Sequence, residues 1–234
     1  MKSIIKIDNV WKIYKMGEVE VAALRGLTLE IKEGEFVAVQ GPSGSGKSTA
    51  MNMIGCLDVP SKGKIFLEGK DISKLEESQL AQIRGKKIGF IFQKFNLINT
   101  LSAKENIMLP MAFQGIPEEQ REKRAKKLLE LVELEDRMNH KPNELSGGEQ
   151  QRIAIARSLA NNPEVILADE PTGNLDSKAG INVMEFLDKL HKKEGKTIIM
   201  VTHDNNLAKY AQRVEYLMDG KIINSSKSQG GKNV

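Results

Sequence analysis

The sequence predicts an α/β fold whose main sheet is largely parallel, with an N-terminal antiparallel β subdomain and an inserted α-helical subdomain. Three observations carry this prediction. Four short runs, "EFVAVQ" (35–40), "IGFIF" (88–92), "VILAD" (165–169) and "TIIMVT" (197–202), are almost wholly apolar, as strands covered by helices on both faces are. Two others, "IIKIDNV" and "KIFLEGK", read as outer antiparallel strands, the second ending in a Gly turn. Between the second and third buried runs lies a long polar, helical section, about residues 94–160, which is the candidate inserted lobe.

Each element follows in order. The N-terminal stretch "MKSIIKIDNVWKIYK" is charged throughout and lacks the apolar centre of a signal peptide. After the first buried run comes a glycine-rich loop and then a helical pattern, where Cys56 in "STAMNMIGCL" reads as a packing residue. As the single cysteine it admits no internal disulfide and suits a reducing cytosol. Within the lobe, Pro117 followed by two glutamates starts a helix, and Ala125, Leu128, Leu129 and Val132 form its apolar stripe. Another helix follows Asp176, with Val183, Leu187 and Leu190 at i, i+4, i+7. The tail "SSKSQGGKNV" (225–234) is small and polar and reads as disordered. The resulting plan is one domain over 1–224, with core segments 1–93 and 161–224 and the helical subdomain at about 94–160.

Composition narrows the function classes. Of 234 residues, 40% are hydrophobic, enough for a sizeable core; 35 basic residues nearly balance 31 acidic ones. A net charge of +4 lacks the clustered excess that nucleic acid demands, so no nucleic-acid partner is expected. No apolar run approaches the ~18 residues a membrane helix requires. Work at a membrane would therefore rest on another chain.

The stretch "GPSGSGKST" (41–49) directly follows "EFVAVQ" and precedes a helical pattern. It matches G-x-x-x-x-G-K-[ST] in the structural setting that motif needs. Gly41, Gly44 and Gly46 let successive backbone N–H groups turn inward around phosphates, and the next helix adds the positive end of its dipole. Lys47 is expected to reach the β- and γ-phosphates and the Ser48 hydroxyl to ligate Mg²⁺. Ser43, Ser45 and Thr49 complete the nucleotide-binding set. The core is thus a P-loop NTPase of the RecA-like type, and the ligand is a nucleoside triphosphate.

A buried strand, "VILAD", delivers Asp169 to its C-terminal end, where α/β sheets place ligands. Asp169 is expected to orient Mg²⁺ through water, and Glu170, one residue on, to polarise the attacking water. The bland alternative is that both acids cap the next segment. His203 ends "TIIMVTH" at an equivalent strand end and is read as a γ-phosphate contact, whereas His140 and His191 lack such a setting and read as solvated.

Kinases, GTPases and helicases with phosphate loops share everything so far. "ELSGGEQQR" (144–152) separates them. On its own Ser146-x-x-Glu149 is a capping box, a purely structural device. Yet an aromatic at Tyr14, the phosphate loop, Gln93, "LSGGE", "ILADEP", "NLD" (174–176) and His203 follow in that order over about 190 residues. With those markers the chain resembles the ABC-type ATPases over nearly its full length. The resemblance implies that the nucleotide is ATP, that Tyr14 stacks on adenine, and that Gln93 touches Mg²⁺ and senses a membrane partner. Asp176 corresponds to the family's cross-subunit aspartate and would also serve as an N-cap.

The resemblance further implies a head-to-tail pair of identical chains, with Ser146, Gly147 and Gly148 binding the γ-phosphate held by the other chain's Lys47. ATP then joins two copies, and hydrolysis releases them. Glu149 stands where glutamine is commoner in the family, and a carboxylate there adds negative charge near a triphosphate. The wording "GPSGSGKST", "IGCLD", "FQKFNLI", "LSGGEQQR" and "DEPTGNLDS" is similar to the lipoprotein-releasing and macrolide-export branch. That branch implies an integral membrane permease subunit, separate or fused and here expected to be separate, coupling to export, lipoprotein release or mechanotransmission, and a place on the cytoplasmic face of the cell membrane. Phe95, Leu97 and Leu101 then either line a groove for a helix of that permease or pack inside the lobe. A soluble relative acting on ribosomes or DNA is the competing function, though such members usually carry two domains or a long coiled coil.

Overall fold

The fold follows from where apolar residues recur and where glycine breaks them. The computed structural model describes residues 2–227. In chain order the elements are β1 (Ser3–Met16), β2 (Val19–Lys32), β3 (Phe36–Gln40), α1 (Lys47–Ile54), β4 (Lys62–Leu67), β5 (Lys70–Asp71) and α2 (Glu77–Lys87). Then come β6 (Ile88–Ile91), α3 (Ala103–Phe113), α4 (Glu118–Leu131), α5 (Gly147–Ser158) and β7 (Val165–Asp169). Two short 3-10 helices, Glu135–Arg137 and Pro142–Glu144, link α4 to α5. The chain ends in α6 (Ser177–Glu194), β8 (Thr197–Val201), α7 (Asn205–Ala208), β9 (Arg213–Met218) and β10 (Lys221–Lys227). No described helix is long and apolar enough to cross a membrane.

Two compact units result, one from the residues up to Arg84 with those from Asp188 onward, the other Gly85–Leu187. In the first unit, β2, β1, β4 and β5 form the expected antiparallel sheet. In β1, Ile5 and Ile7 are buried while Lys6 and Asp8 are exposed, as period-2 alternation dictates. A bulge between Ile7 and Val10 then shifts the register and returns Val10 to the buried face. Beside this sheet chemistry, β3 lies between β8 and β9 and runs parallel to both, with β10 antiparallel to β9. Every residue of β3 and β8 is buried, as the apolar runs predict.

In the second unit β6 and β7 pair in parallel, Ile88 facing Val165. The lobe helices α3, α4 and α5 belong to the same unit. The α4 stripe Ala125, Leu128, Leu129 and Val132 is buried throughout, the last residue at the helix end. Gly89 lets α5 close on β6, because a side chain there would collide with the Ser158 carbonyl and the Pro163 ring. The compact unit Gly85–Leu187 thus holds β6 and β7 together with the lobe helices.

Several expectations need correction. The N-terminal strand is not a short run but half of a long hairpin, turning at Gly17 with φ +64. Ser225 and Ser226, placed in a disordered tail, pair with Glu215 and Val214 in β10, and the Ser225 hydroxyl donates to Glu215 Oε1 at 3.0 Å. The rest of that tail, 228–234, lies outside the described residues. His191 is buried instead of solvated: its ring meets Phe36 edge-on at 5.8 Å, and Nδ1 lies 3.3 Å from the Lys196 carbonyl oxygen. Cys56 packs as expected but two residues beyond α1, where its φ of +55 is not helical.

Candidate functional site

The phosphate loop joins β3 to α1. Gly46 caps α1 with φ +103, and a Cβ there would stand 2.5 Å from the Ala23 carbonyl oxygen, so only glycine fits. The helix has no side-chain cap and no acidic residue in its first turn. Among the described residues, nothing accepts the N–H groups of Lys47, Ser48 or Thr49. An anion is the natural partner for such an end. Lys47 Nζ donates to the carbonyls of Gly41 and Pro42 at 2.7 and 2.8 Å, which holds its charge over the loop. Ser45 Oγ is buried with no partner, while Ser43, Gly44 and Ser48 are exposed. The loop is anchored by Gly220 N donating to the Ser45 carbonyl at 2.9 Å.

His203 follows β8, the parallel neighbour of β3. Asp204 N donates to Thr202 Oγ1 at 3.1 Å and its carboxylate caps α7 through Asn206 N at 2.7 Å, which fixes the turn carrying the exposed His203 ring. Gln40, the last residue before the phosphate loop, donates from Nε2 to Asn205 Oδ1 at 3.2 Å. The first unit thus brings His203 and the phosphate loop to the same strand ends. Tyr14 is near them: its hydroxyl bonds Asp58 Oδ2 at 3.2 Å and also meets Thr49 of α1. Lys12 Nζ stands 5.1 Å from the Tyr14 ring centroid and 2.5 Å from Asp58 Oδ1. Burial, foremost, pushes the Tyr14 phenol up. Nothing in "LDVP" signals Asp58 as the residue that holds Tyr14; a salt bridge across 46 residues has no sequence mark.

The second unit positions the acids and the second glycine motif. Asp169 ends β7, and both it and Glu170 are half-buried. Glu170 has φ +45, a left-handed state that a glutamate holds only where its surroundings enforce it. The turn continues as Gly173 N donates to the Glu170 carbonyl at 3.0 Å. Gln93 lies against this turn: its amide is 2.7 Å from where a Gly173 Cβ would stand, and Asn174 Nδ2 donates to its carbonyl at 2.8 Å. The buried Gln151 of α5 donates to the Pro171 carbonyl, tying the signature helix to the same turn. Asp176 caps α6 as expected, accepting Ala179 N at 2.9 Å.

The signature itself forms the anticipated capping box. Ser146 Oγ accepts Glu149 N at 3.3 Å, and Ser146 N donates to Glu149 Oε2 at 2.8 Å. That bond, first, holds the Glu149 carboxyl below its usual range. A second Ser-x-x-Glu box in the same lobe provides an internal control. Ser102 and Glu105 cap α3 identically, but there Ala103 N donates to the His140 carbonyl at 2.8 Å and Lys104 N to Met138 at 3.0 Å. At α5 the equivalent N–H groups, those of Gly147 and Gly148, have no acceptor among the described residues. They face an open recess of about 350 Å³ lined also by Glu149, Arg152, Asn174, Asp176 and Lys178. The cap leaves this helix end open, where water or an anion can accept the two N–H groups. The half-buried Phe95 has its ring 3.7 Å from a Gly147 Cβ position, next to the motif. Leu97 and Leu101 are half-buried.

A family model described as "ABC transporter" matches residues 24–173. The chain is 53% identical over 230 residues to the ABC transporter ATP-binding protein MJ0796 of Methanocaldococcus jannaschii, covering 97% of this chain and 98% of that one. It is 49% identical over 231 residues to the macrolide export ATP-binding/permease protein MacB of Aggregatibacter actinomycetemcomitans, spanning 99% of this chain but 36% of that longer one. A solved dimeric structure of the ATP-binding cassette MJ0796, in a post-hydrolysis state bound to ADP and Pi, matches with a TM-score of 0.88 at 51% identity, over 97% of this chain and 100% of that one. The chain belongs to the ABC transporter family, as one of its ATPase subunits.

Proposed function

We propose that two copies of this chain pair head to tail around ATP and that their opening and closing drives a separate membrane permease. The observation that carries the reading is the pair of open N–H groups at Gly147 and Gly148, beside an identically capped helix whose equivalents are satisfied. The dimeric MJ0796 cassettes support this arrangement by likeness.

Each residue's role then follows from its chemistry. Tyr14 stacks on the adenine, and the phosphate-loop N–H groups with Lys47 hold the phosphates. Ser146, Gly147 and Gly148 close on the γ-phosphate from the other copy, and Asp176 acts across the same interface. Glu170 polarises the attacking water and His203 contacts the γ-phosphate. Among the described residues no group of three or more His, Cys, Asp or Glu side chains forms a metal cage. Mg²⁺ takes a few oxygen donors together with water and substrate phosphates. Ser48, Gln93 and, through water, Asp169 would supply those oxygens, and the ion would offset negative charge on the phosphates. The permease coupling and a place at the cytoplasmic membrane face rest on similarity to proteins such as MacB, whose name joins an ATP-binding part to a permease.

Glu170→Gln tests the reading. It should keep ATP binding, lose hydrolysis by ~10²–10⁴-fold and accumulate as an ATP-dependent dimer on a sizing column. A variant that binds ATP yet stays monomeric at saturation refutes the shared site. Lys47→Ala should abolish binding itself, read by calorimetry.

A further inference from the structure

Glu149 puts a carboxylate one turn from the N–H groups that would receive a triphosphate. Like charge near a shared anion opposes pairing, although Glu149 is also the residue that completes the capping box of α5. The structure shows where that charge goes. One carboxylate oxygen, Oε2, accepts the Ser146 N–H at 2.8 Å and so points back along the chain. The other, Oε1, faces Arg137 Nε at 3.5 Å. Arg137 ends the first 3-10 helix, Glu135–Arg137, and the same guanidinium stands 3.4 Å from Asp136 Oδ2. The Glu149 side chain is 22% exposed, so solvent screens it only in part.

We propose that Arg137 is a positioning residue that neutralises Glu149, whose carboxylate lines the recess, so that a signature motif carrying glutamate still closes on ATP. The inference deepens the shared-site reading above and rests on it. Without Arg137, the carboxylate keeps its bond to Ser146 N–H but loses its counter-charge, and the recess at Gly147 and Gly148 becomes more negative. A partly exposed pair of this kind changes an equilibrium by about threefold. A symmetric dimer contains two such sites, so the dimer dissociation constant should rise by about tenfold.

A double-mutant cycle in the Glu170→Gln chain tests this by sedimentation at fixed saturating ATP. Arg137→Ala should weaken the dimer by about tenfold; Arg137→Lys should restore most of it, since the positive charge returns. Adding Glu149→Gln to Arg137→Ala should also restore it, because no charge is left to offset. In the hydrolysing chain, Arg137→Ala should raise the KM for ATP with little change in kcat at saturation. A structural role for Arg137 predicts a different result: the loss would persist in Arg137→Ala/Glu149→Gln. That outcome, or an Arg137→Ala chain that pairs like its parent, overturns the proposal. A parent Glu170→Gln chain that binds ATP but never pairs overturns the shared-site reading, and this inference with it.

Discussion

Asp176 is assigned two jobs that one substitution can separate. Its Oδ1 accepts Ala179 N at 2.9 Å, capping the 18-residue α6. Asp176→Ala removes the cap, which costs about 1 kcal/mol. For a chain of this size that lowers Tm by about 2–4 °C. Asp176→Asn keeps an equally good cap and loses only the charge's interaction with the helix dipole, about 0.3 kcal/mol at an exposed, salt-screened position. Its Tm should therefore stay within about 1 °C of wild type. Pairing tells the other half of the story. A charge-assisted contact across a closed interface is worth more than a neutral one, so Asp176→Asn should weaken ATP-driven dimerisation by about tenfold or more. Differential scanning fluorimetry gives the first quantity, and sedimentation of each variant in the Glu170→Gln chain gives the second. An Asp176→Asn chain that pairs and hydrolyses like wild type refutes the cross-subunit role. An Asp176→Ala chain with an unchanged Tm refutes the cap.

Other outcomes follow from the same structure. The Ser102 backbone N–H, foremost, and its hydroxyl hold the Glu105 carboxyl below its usual 4.5. Because the folded value lies below the unfolded one, this stabilisation is present above about 4.5 and fades as pH falls through the folded value. Melting curves of wild type and Glu105→Gln should accordingly converge between about pH 7 and pH 3; a constant gap contradicts the linkage. Burial pushes the Cys56 thiol up to about 11, so a thiol reagent at neutral pH should modify it much faster in the unfolded chain than in the folded one, and equal rates would exclude this. Phe113, 80% exposed at the end of α3, offers a test of permease docking beside the half-buried Leu97 and Leu101. Phe113→Asp should leave folding and basal ATPase intact and abolish permease-coupled stimulation; full stimulation excludes that surface.

The sequence exposed those features whose determinants are local. Buried strands announce themselves because helices cover both faces, and the ends of β3, β6, β7 and β8 each fall within one residue of those of their apolar runs. The phosphate loop is legible because its glycines, lysine and flanking elements are contiguous. What escaped depends on partners distant in sequence. The bulge at Ile7–Val10 interrupts alternation, so the long hairpin looks like a short strand. Ser225 and Ser226 form a strand only because Glu215 and Val214 lie opposite. His191 reads as a surface residue until Phe36 is found against it, and Arg137 gives no sign of Glu149, twelve positions later.

The two Ser-x-x-Glu boxes show why even a strong motif needs structure to give it a function. At Ser102 and at Ser146 the sequence writes the same four-residue signal, and the reciprocal side-chain bonds form in both. A capping box satisfies the third N–H of a helix and leaves the first two open. At α3 the lobe's own chain supplies carbonyls from His140 and Met138, which closes that helix end to ligands. At α5 those positions are glycines, the recess beside them is open, and their donors point at nothing within the described residues. The distinction between a structural cap and a half-built phosphate site therefore lies not in the cap but in the two N–H groups before it. Two residues of opposite charge then decide how tightly that half-site closes: Glu149, which completes the cap, and Arg137, which takes its charge.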